Sequence, residues 1–240
     1  GARRSAGQLL EGKICAMTEA TKDFYLANFA QFEREVAQKG QAWTQQLRKA
    51  AITRFAELGF PTTHDEEWKY TNVAPITRIP FQHAKRLAHG VAAEALAAAT
   101  IPGLVSAQLV YVNGYFVPEL SALPALPQGV QVGSLAQALA IRPSGLEGHL
   151  ARYARFEEQA FVALNTAFMQ DGAYVYVPRG CVVDMPIHLV FLSLSHGDVI
   201  VAHPRNLLVF EENTQATVIE SYIGLGHDVY LTNAVTECVL

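Results

Sequence analysis

With 240 residues, 50% of them hydrophobic and 17% charged, the chain has enough apolar content to bury a core of one or two domains, and it is too apolar to be disordered. Eighteen Lys and Arg stand against 22 Asp and Glu, a net charge of −4, which excludes the basic footprint of a nucleic-acid binder. Cys15, Cys181 and Cys238 are widely spaced and lack the CxxC pairs of structural zinc or a redox motif, so a reducing compartment is expected.

Residues 1–20 carry Arg3 and Arg4, then Glu11, Lys13 and Glu19, with no continuous apolar core of a signal peptide, and a cytoplasmic location is predicted. Tyr25, Phe29, Phe32 and Val36 fall at i, i+4, i+7 and i+11, one stripe of a helix that breaks at Gly40. Trp43, Leu47, Ala50, Ala51, Phe55 and Leu58 predict a second stripe, ended by Gly59 with Pro61 beyond it. Asp65-Glu66-Glu67 is the densest carboxylate run. It adjoins Trp68 and Tyr70, both expected to anchor the linker that follows the helices. Ala88–Ala99 is a third, Ala-rich helix candidate closed by Thr100, Pro102 and Gly103. The weakly polar stretch Val91–Val112 is interrupted by Glu94, Pro102 and Gly103, so it cannot be a spanning helix.

Leu109–Val112, Asn113-Gly114 and Tyr115–Val117 predict a β-hairpin, because Asn-Gly supplies the positive φ angles of a type I′ turn. Pro118–Pro143 holds four prolines and reads as a connector around one short helix, Ser134–Ala140. His149–Met169 is predicted to be helical, with Tyr153, Phe156, Ala160, Leu164 and Phe168 three or four apart. From Gly172 the period changes. Val175–Val177, Ile187–Leu192, Leu207–Phe210, Ala216–Tyr222 and Ala234–Leu240 are predicted strands. The turns between them are Pro-Arg-Gly, Val-Asp-Met-Pro and Glu-Glu-Asn-Thr, not two-residue hairpin loops, so the strands are expected to stack in parallel coils. The last run reaches Leu240 with no turn or cap, which fits the front part of a larger β body. The fold class is α+β. A helical domain is expected over 1–105, a hairpin, connector and helix over 106–170, and the start of the β core over 171–240.

Candidate chemistry is sparse. Gly172, Pro178 and Gly180 match the frame of the second cupin motif, but Val183 stands where that site needs an imidazole ligand. His188, His196 and His203 cluster in sequence, yet no pair has the i, i+2 or i, i+4 spacing that puts two rings on one face. They read as hydrogen-bonded or solvated histidines, with a metal as the alternative. Cys181 could be a thiolate favoured by Arg179 or simply a small turn residue, and Cys238 reads as a small buried hydrophobe. Ser193 and Ser195 lack a nucleophile elbow, no phosphate-binding Gly-Lys-Ser/Thr loop occurs, and Glu211-Glu212 reads as a solvated turn. No residue is assigned as catalytic, cofactor-binding or metal-binding, and an enzyme is not expected.

A family resemblance runs in order from about residue 20 to 240. Its carriers are Phe60-Pro61-Thr-Thr-His-Asp-Glu66-Glu-Trp68-Lys69-Tyr70-Thr71, Leu109–Ser121 with its Val-Asn-Gly-Tyr hairpin, Phe161–Asn165 with Asp171-Gly172, Pro204–Phe210 and Ala216–Glu220. They resemble the SufB/SufD family of the SufB-SufC-SufD iron-sulfur cluster assembly system, and SufD more than SufB. The resemblance implies a helical N-terminal domain, a right-handed parallel β-helix core, and a non-enzymatic scaffold role beside the partners SufB and SufC. It places the SufC-docking helices beyond residue 240. An iron-sulfur cluster is implied only for the complex, and Cys181, Cys238 and the eight histidines inherit no role from the family. A cupin-like small-molecule or metal-binding β-domain is the alternative.

Overall fold

The computed structural model describes residues 6–36, 42–87, 97, 99, 101–141, 146–195 and 197–240, with side chains described from residue 21. The chain divides into two compact units, Gly1–Gln82 with Arg155–Phe168, and His83–Ala154 with Met169–Leu240.

The first unit is helical: α1 (Ala6–Val36), α2 (Ala42–Leu58), the short α3 (Ala74–Thr77) and α6 (Ala160–Phe168). The α1 stripe packs as its spacing predicts, with Tyr25, Phe29 and Phe32 buried. Tyr25, Phe55 and Phe60 meet edge to face at centroid distances of 5.1–6.1 Å. Phe168 of α6 closes the other end against Phe29 and Phe32, at 5.7 and 5.2 Å. The buried face of α2 is rotated from the predicted one. Thr44, Arg48, Ala51, Ile52 and Phe55 are inside, while Trp43, Leu47 and Leu58 are half-buried and Ala50 is exposed. Arg48 stands on the buried side, with its guanidinium 5.8 Å from the Phe32 ring centre. Gly59 ends α2 as expected, at φ +67° with its N–H on the Phe55 carbonyl at 2.8 Å.

The second unit carries the β structure: β1 (Gln82–His83) enters it at His83, followed by β2 (Ala107–Val112), β3 (Tyr115–Phe116), β4 (Gln131–Ser134), β5 (Ala173–Val177), β6 (Ile187–Leu194), β7 (Ile200–Ala202), β8 (Arg205–Phe210), β9 (Val218–Leu225), β10 (Tyr230–Thr232) and β11 (Val235–Val239). The short helices α4 (Leu135–Ile141) and α5 (Leu146–His149) lie between β4 and β5. From β5 onward successive strands fall into three sheets in rotation, and every pairing among them is parallel: β5 with β8 and β8 with β11, β6 with β9, β7 with β10. The registers repeat. Val235 pairs Arg205 and Tyr230 pairs Ile200, each 30 positions on, and Val218 pairs Ile187, 31 positions on. One residue type can therefore stack on its like, and Tyr111, Phe191 and Tyr222 form a ladder across β2, β6 and β9 with successive centroids 4.8 Å apart.

The predicted hairpin is present, with Asn113 at φ +53° and Gly114 at φ +84°. The Asn113 side chain does a second job. Its Oδ1 accepts from Leu194 N at 2.9 Å and its Nδ2 donates to the Leu194 carbonyl at 2.8 Å, extending the β2–β6 ladder past the end of β2. The connector helix appears as α4, and β4 is an antiparallel addition to β5 that the prolines concealed.

One expectation is corrected and one alternative loses support. The helix predicted over His149–Met169 forms only at Ala160–Phe168, because Ala151, Tyr153 and Ala154 give their N–H groups to Glu237 instead of to a helical ladder and Ala151 turns to φ +59°. The cupin alternative is not favoured, because the strands that follow Gly172 pair in parallel and Val183 is buried in an apolar cluster with Val175, Ile187 and Leu208. The helix predicted over Ala88–Ala99 lies mainly outside the described residues.

Candidate functional site

The first unit holds a cleft at the Asp-Glu-Glu-Trp run. Asp65 Oδ2 accepts from Thr62 N at 2.6 Å and Thr62 Oγ1 at 3.1 Å, which folds Thr62–Asp65 back on itself. The chain then makes a 3-10 turn over Glu66–Trp68, with Thr71 N bonding to the Trp68 carbonyl at 2.9 Å. The turn presses the Trp68 indole on Phe161, at 5.3 Å between centroids, and Phe161 rests on Phe60 at 5.9 Å. Trp68 stays half-buried. Two hollows of about 210 Å³ and 250 Å³ adjoin it and share Glu67, Trp68, Gln159 and Ala160. Glu66 and Glu67 project to solvent and form no ion pair among the described residues, whereas Glu158 is held by Arg155 at 3.1 Å. Tyr70 is 92% exposed, with Lys69 Nζ 5.7 Å from its ring centre, so it anchors nothing and only Trp68 fills the expected role.

The second unit concentrates its polar groups inside. Arg205 and Glu237 are fully buried, and the guanidinium donates through Nε and Nη2 to Glu237 Oε2 at 3.1 and 2.8 Å. Parallel register places Arg205 opposite Val235, so Glu237, two residues on, lies on the same face. The carboxylate also accepts from the N–H groups of Ala151, Tyr153 and Ala154 at 2.7–3.0 Å. Desolvation lowers the Arg205 pKa below its usual range, and the Glu237 charge offsets part of that. Asp171 is saturated in the same way, accepting from Phe116 N, Ser134 Oγ, Ala136 N and Gly172 N at 2.6–3.1 Å. Gly172 admits no side chain, since a Cβ there would collide with the Arg205 carbonyl. Asn206 accepts from Ala173 N at 2.9 Å and reaches Thr236 at 3.1 Å, and Thr236 donates to Glu220 at 2.8 Å.

The histidines are not brought to one centre. His188, buried on β6, bonds Ser221 Oγ through Nε2 at 2.8 Å, and burial lowers its pKa. His203 is buried, bonds Asn233 through Nδ1 at 3.2 Å and stacks on His83, with centroids 6.0 Å apart. Desolvation, then Lys85, pulls His83 down to about 4, and desolvation, then His83, holds His203 well below its ordinary value. His196 lies outside the described residues. No cluster of three metal-ligating side chains occurs among the described residues.

Cys181 is half-buried in the Pro178 turn against the apolar core, and the neighbouring Arg179 pairs with Glu212 at 2.7 Å. Cys238 is exposed, which corrects the buried reading: β11 turns Glu237 inward and the next residue outward. The Cys15 side chain lies outside the described residues. Ser193 bonds Thr232 at 3.0 Å, and Ser195 donates to the Asp198 carbonyl. Glu211 is engaged, accepting from Tyr176 Oη at 2.7 Å and Arg179 N at 2.9 Å, bonds that hold its pKa below the usual range. The residues that sequence reasoning missed are Arg205, Asn206, Asp171 and Glu237. The available signal was a charge embedded in an apolar strand pattern, Arg205 before Leu207–Phe210 and Glu237 between Val235 and Val239.

A family model described as the SufBD protein N-terminal region matches residues 19–189. An iron-sulfur cluster assembly SufBD family protein of Synechocystis is 32% identical over 201 residues, covering 80% of this chain and 44% of the relative. The iron-sulfur cluster assembly proteins SufD of Escherichia coli and Bacillus subtilis are 27% and 26% identical, covering 85% and 83% of this chain and 44% and 45% of their own lengths. The chain thus spans a little under half the length of the curated relatives it matches.

Proposed function

The chain belongs to the SufB/SufD family of iron-sulfur cluster assembly proteins and is SufD-like, and from that premise we propose that it serves as a non-enzymatic scaffold subunit that works with SufB and SufC. The observation that carries the reading is the family match over 19–189 joined to parallel-paired strands whose buried charges are spent on structure. Glu237 takes two guanidinium and three backbone donors, and Asp171 takes four donors, so neither has capacity left for proton transfer to a substrate. The repeating register of about 30 residues in three sheets supports a right-handed parallel β-helix, the hand that parallel crossovers favour. Iron and sulfide would then be cargo of the complex. Co-expression of this chain, tagged, with SufB and SufC from the same source tests the proposal. Recovery of SufB in stoichiometric amount, with SufC carried only through SufB and the chain alone holding no stoichiometric metal, is expected. Stoichiometric metal on the isolated chain, or no recovery of SufB, would overturn it.

A further inference from the structure

We propose that the Trp68 cleft of the helical unit is a docking site for a short basic segment of another protein, one that offers an arginine or lysine beside an apolar side chain. The inference does not depend on the scaffold role of the β unit. Its first support is an apolar floor left half-covered: Leu58, Pro61, Trp68, Ala160 and Phe161 all keep part of their surface in water. The floor is also held in place from below, because the Glu66–Trp68 turn and the Phe60–Phe161 stack fix the indole. A pre-positioned aromatic loses little conformational freedom when it is covered.

The second support is charge. Asp65, Glu66, Glu67 and Glu158 line the larger hollow, and the cations around it are engaged: Arg155 pairs with Glu158, Arg54 with Glu57, and Lys69 Nζ lies 5.7 Å from the Tyr70 ring centre, which leaves Glu66 and Glu67 without an ion pair among the described residues. An electronegative rim over an indole face selects a guanidinium or ammonium, which the carboxylates and the ring attract together. Size argues for a peptide. Hollows of about 210 and 250 Å³ fall short of the roughly 300–1,000 Å³ of small-molecule sites, and two adjoining ones that share the Trp68 ring as a wall fit successive side chains of a peptide.

The probe is a fluorescein-labelled peptide Gly-Arg-Leu-Arg-Arg-Gly, titrated with the whole chain at low salt, with Gly-Glu-Leu-Glu-Glu-Gly as its charge-reversed control. Saturable binding of the basic peptide alone is expected. The Glu66→Gln, Glu67→Gln double variant should weaken it tenfold or more, and Trp68→Ala by a similar factor. A charge-matched double variant at the exposed Glu119 and Glu147, Glu119→Gln with Glu147→Gln, should leave affinity within twofold. Because the Gln variants alter only exposed side chains, folding is preserved and the comparison stands even if Trp68→Ala is unstable. No saturable binding of the basic peptide, or equal weakening by both double variants, would overturn the site.

Discussion

Removing the Glu237 carboxylate leaves a guanidinium that is 0% exposed without its counter-charge, and three backbone N–H groups without an acceptor. Glu237→Ala is expected to cost about 3–5 kcal/mol, the range for breaking one side of a buried pair. Adding Arg205→Met should recover only part of it, because the N–H groups of Ala151, Tyr153 and Ala154 stay unsatisfied. Urea midpoints of the two variants check both claims, and full recovery by the second substitution would assign the whole cost to the charge. The stacked histidines set a pH response. His83 is lowered to about 4 and His203 is held well below its ordinary value, while an unfolded histidine titrates near 6.5. The unfolded chain therefore binds more protons below that pH, and the stabilisation present above pH 6.5 is lost as pH falls toward 4, at up to about 1.4 kcal/mol per pH unit for each histidine. Unfolding free energies at pH 7.5 and 5.5 should differ less in His203→Gln than in the native chain; equal slopes would place the response elsewhere.

At the scale of elements, Trp68 and Tyr70 stand two residues apart in one motif and are expected to behave oppositely. Trp68→Ala removes a half-buried ring from Phe161 and should lower stability by about 1–2 kcal/mol, less than the roughly 3–5 kcal/mol of a fully buried aromatic. Tyr70→Ala should stay within about 0.5 kcal/mol, as surface changes do. A thermal midpoint lowered as much by Tyr70→Ala as by Trp68→Ala would contradict the packing. The same motif shows what could be read beforehand. The Asn113-Gly114 hairpin and the Gly59 helix stop were legible because each depends on local φ angles that few residues tolerate. The α2 face was not, since Arg48 reads as polar until the Phe32 ring beside it is known. The stretch before α6 was misread for a related reason: its competing acceptor, Glu237, lies more than 80 residues away in sequence.

For the molecule as a whole, parallel stacking was legible from what the turns lacked, but β7 and β10 were too short to carry a period, and the Arg205–Glu237 pair depends on a register that no single strand encodes. The same stacking leaves β9, β10 and β11 at the edges of their three sheets among the described residues. Each presents unpaired N–H and C=O groups, and on β9 and β10 the exposed Tyr222 and Tyr230 stand beside them, with Tyr222 at the open end of the aromatic ladder. Such edges pair with any available strand unless a charge, a proline or a covering element blocks them. Residues 1–240 prepared by themselves are therefore expected to associate as concentration rises from micromolar to hundreds of micromolar. Tyr222→Lys, which places a charge on the middle of β9 at the cost of one partly exposed ring, should shift that association to higher concentration without unfolding the chain. Sedimentation velocity of both forms across this range is the measurement. A monodisperse native chain throughout, or identical association in Tyr222→Lys, would show that these edges are not the surface through which copies meet.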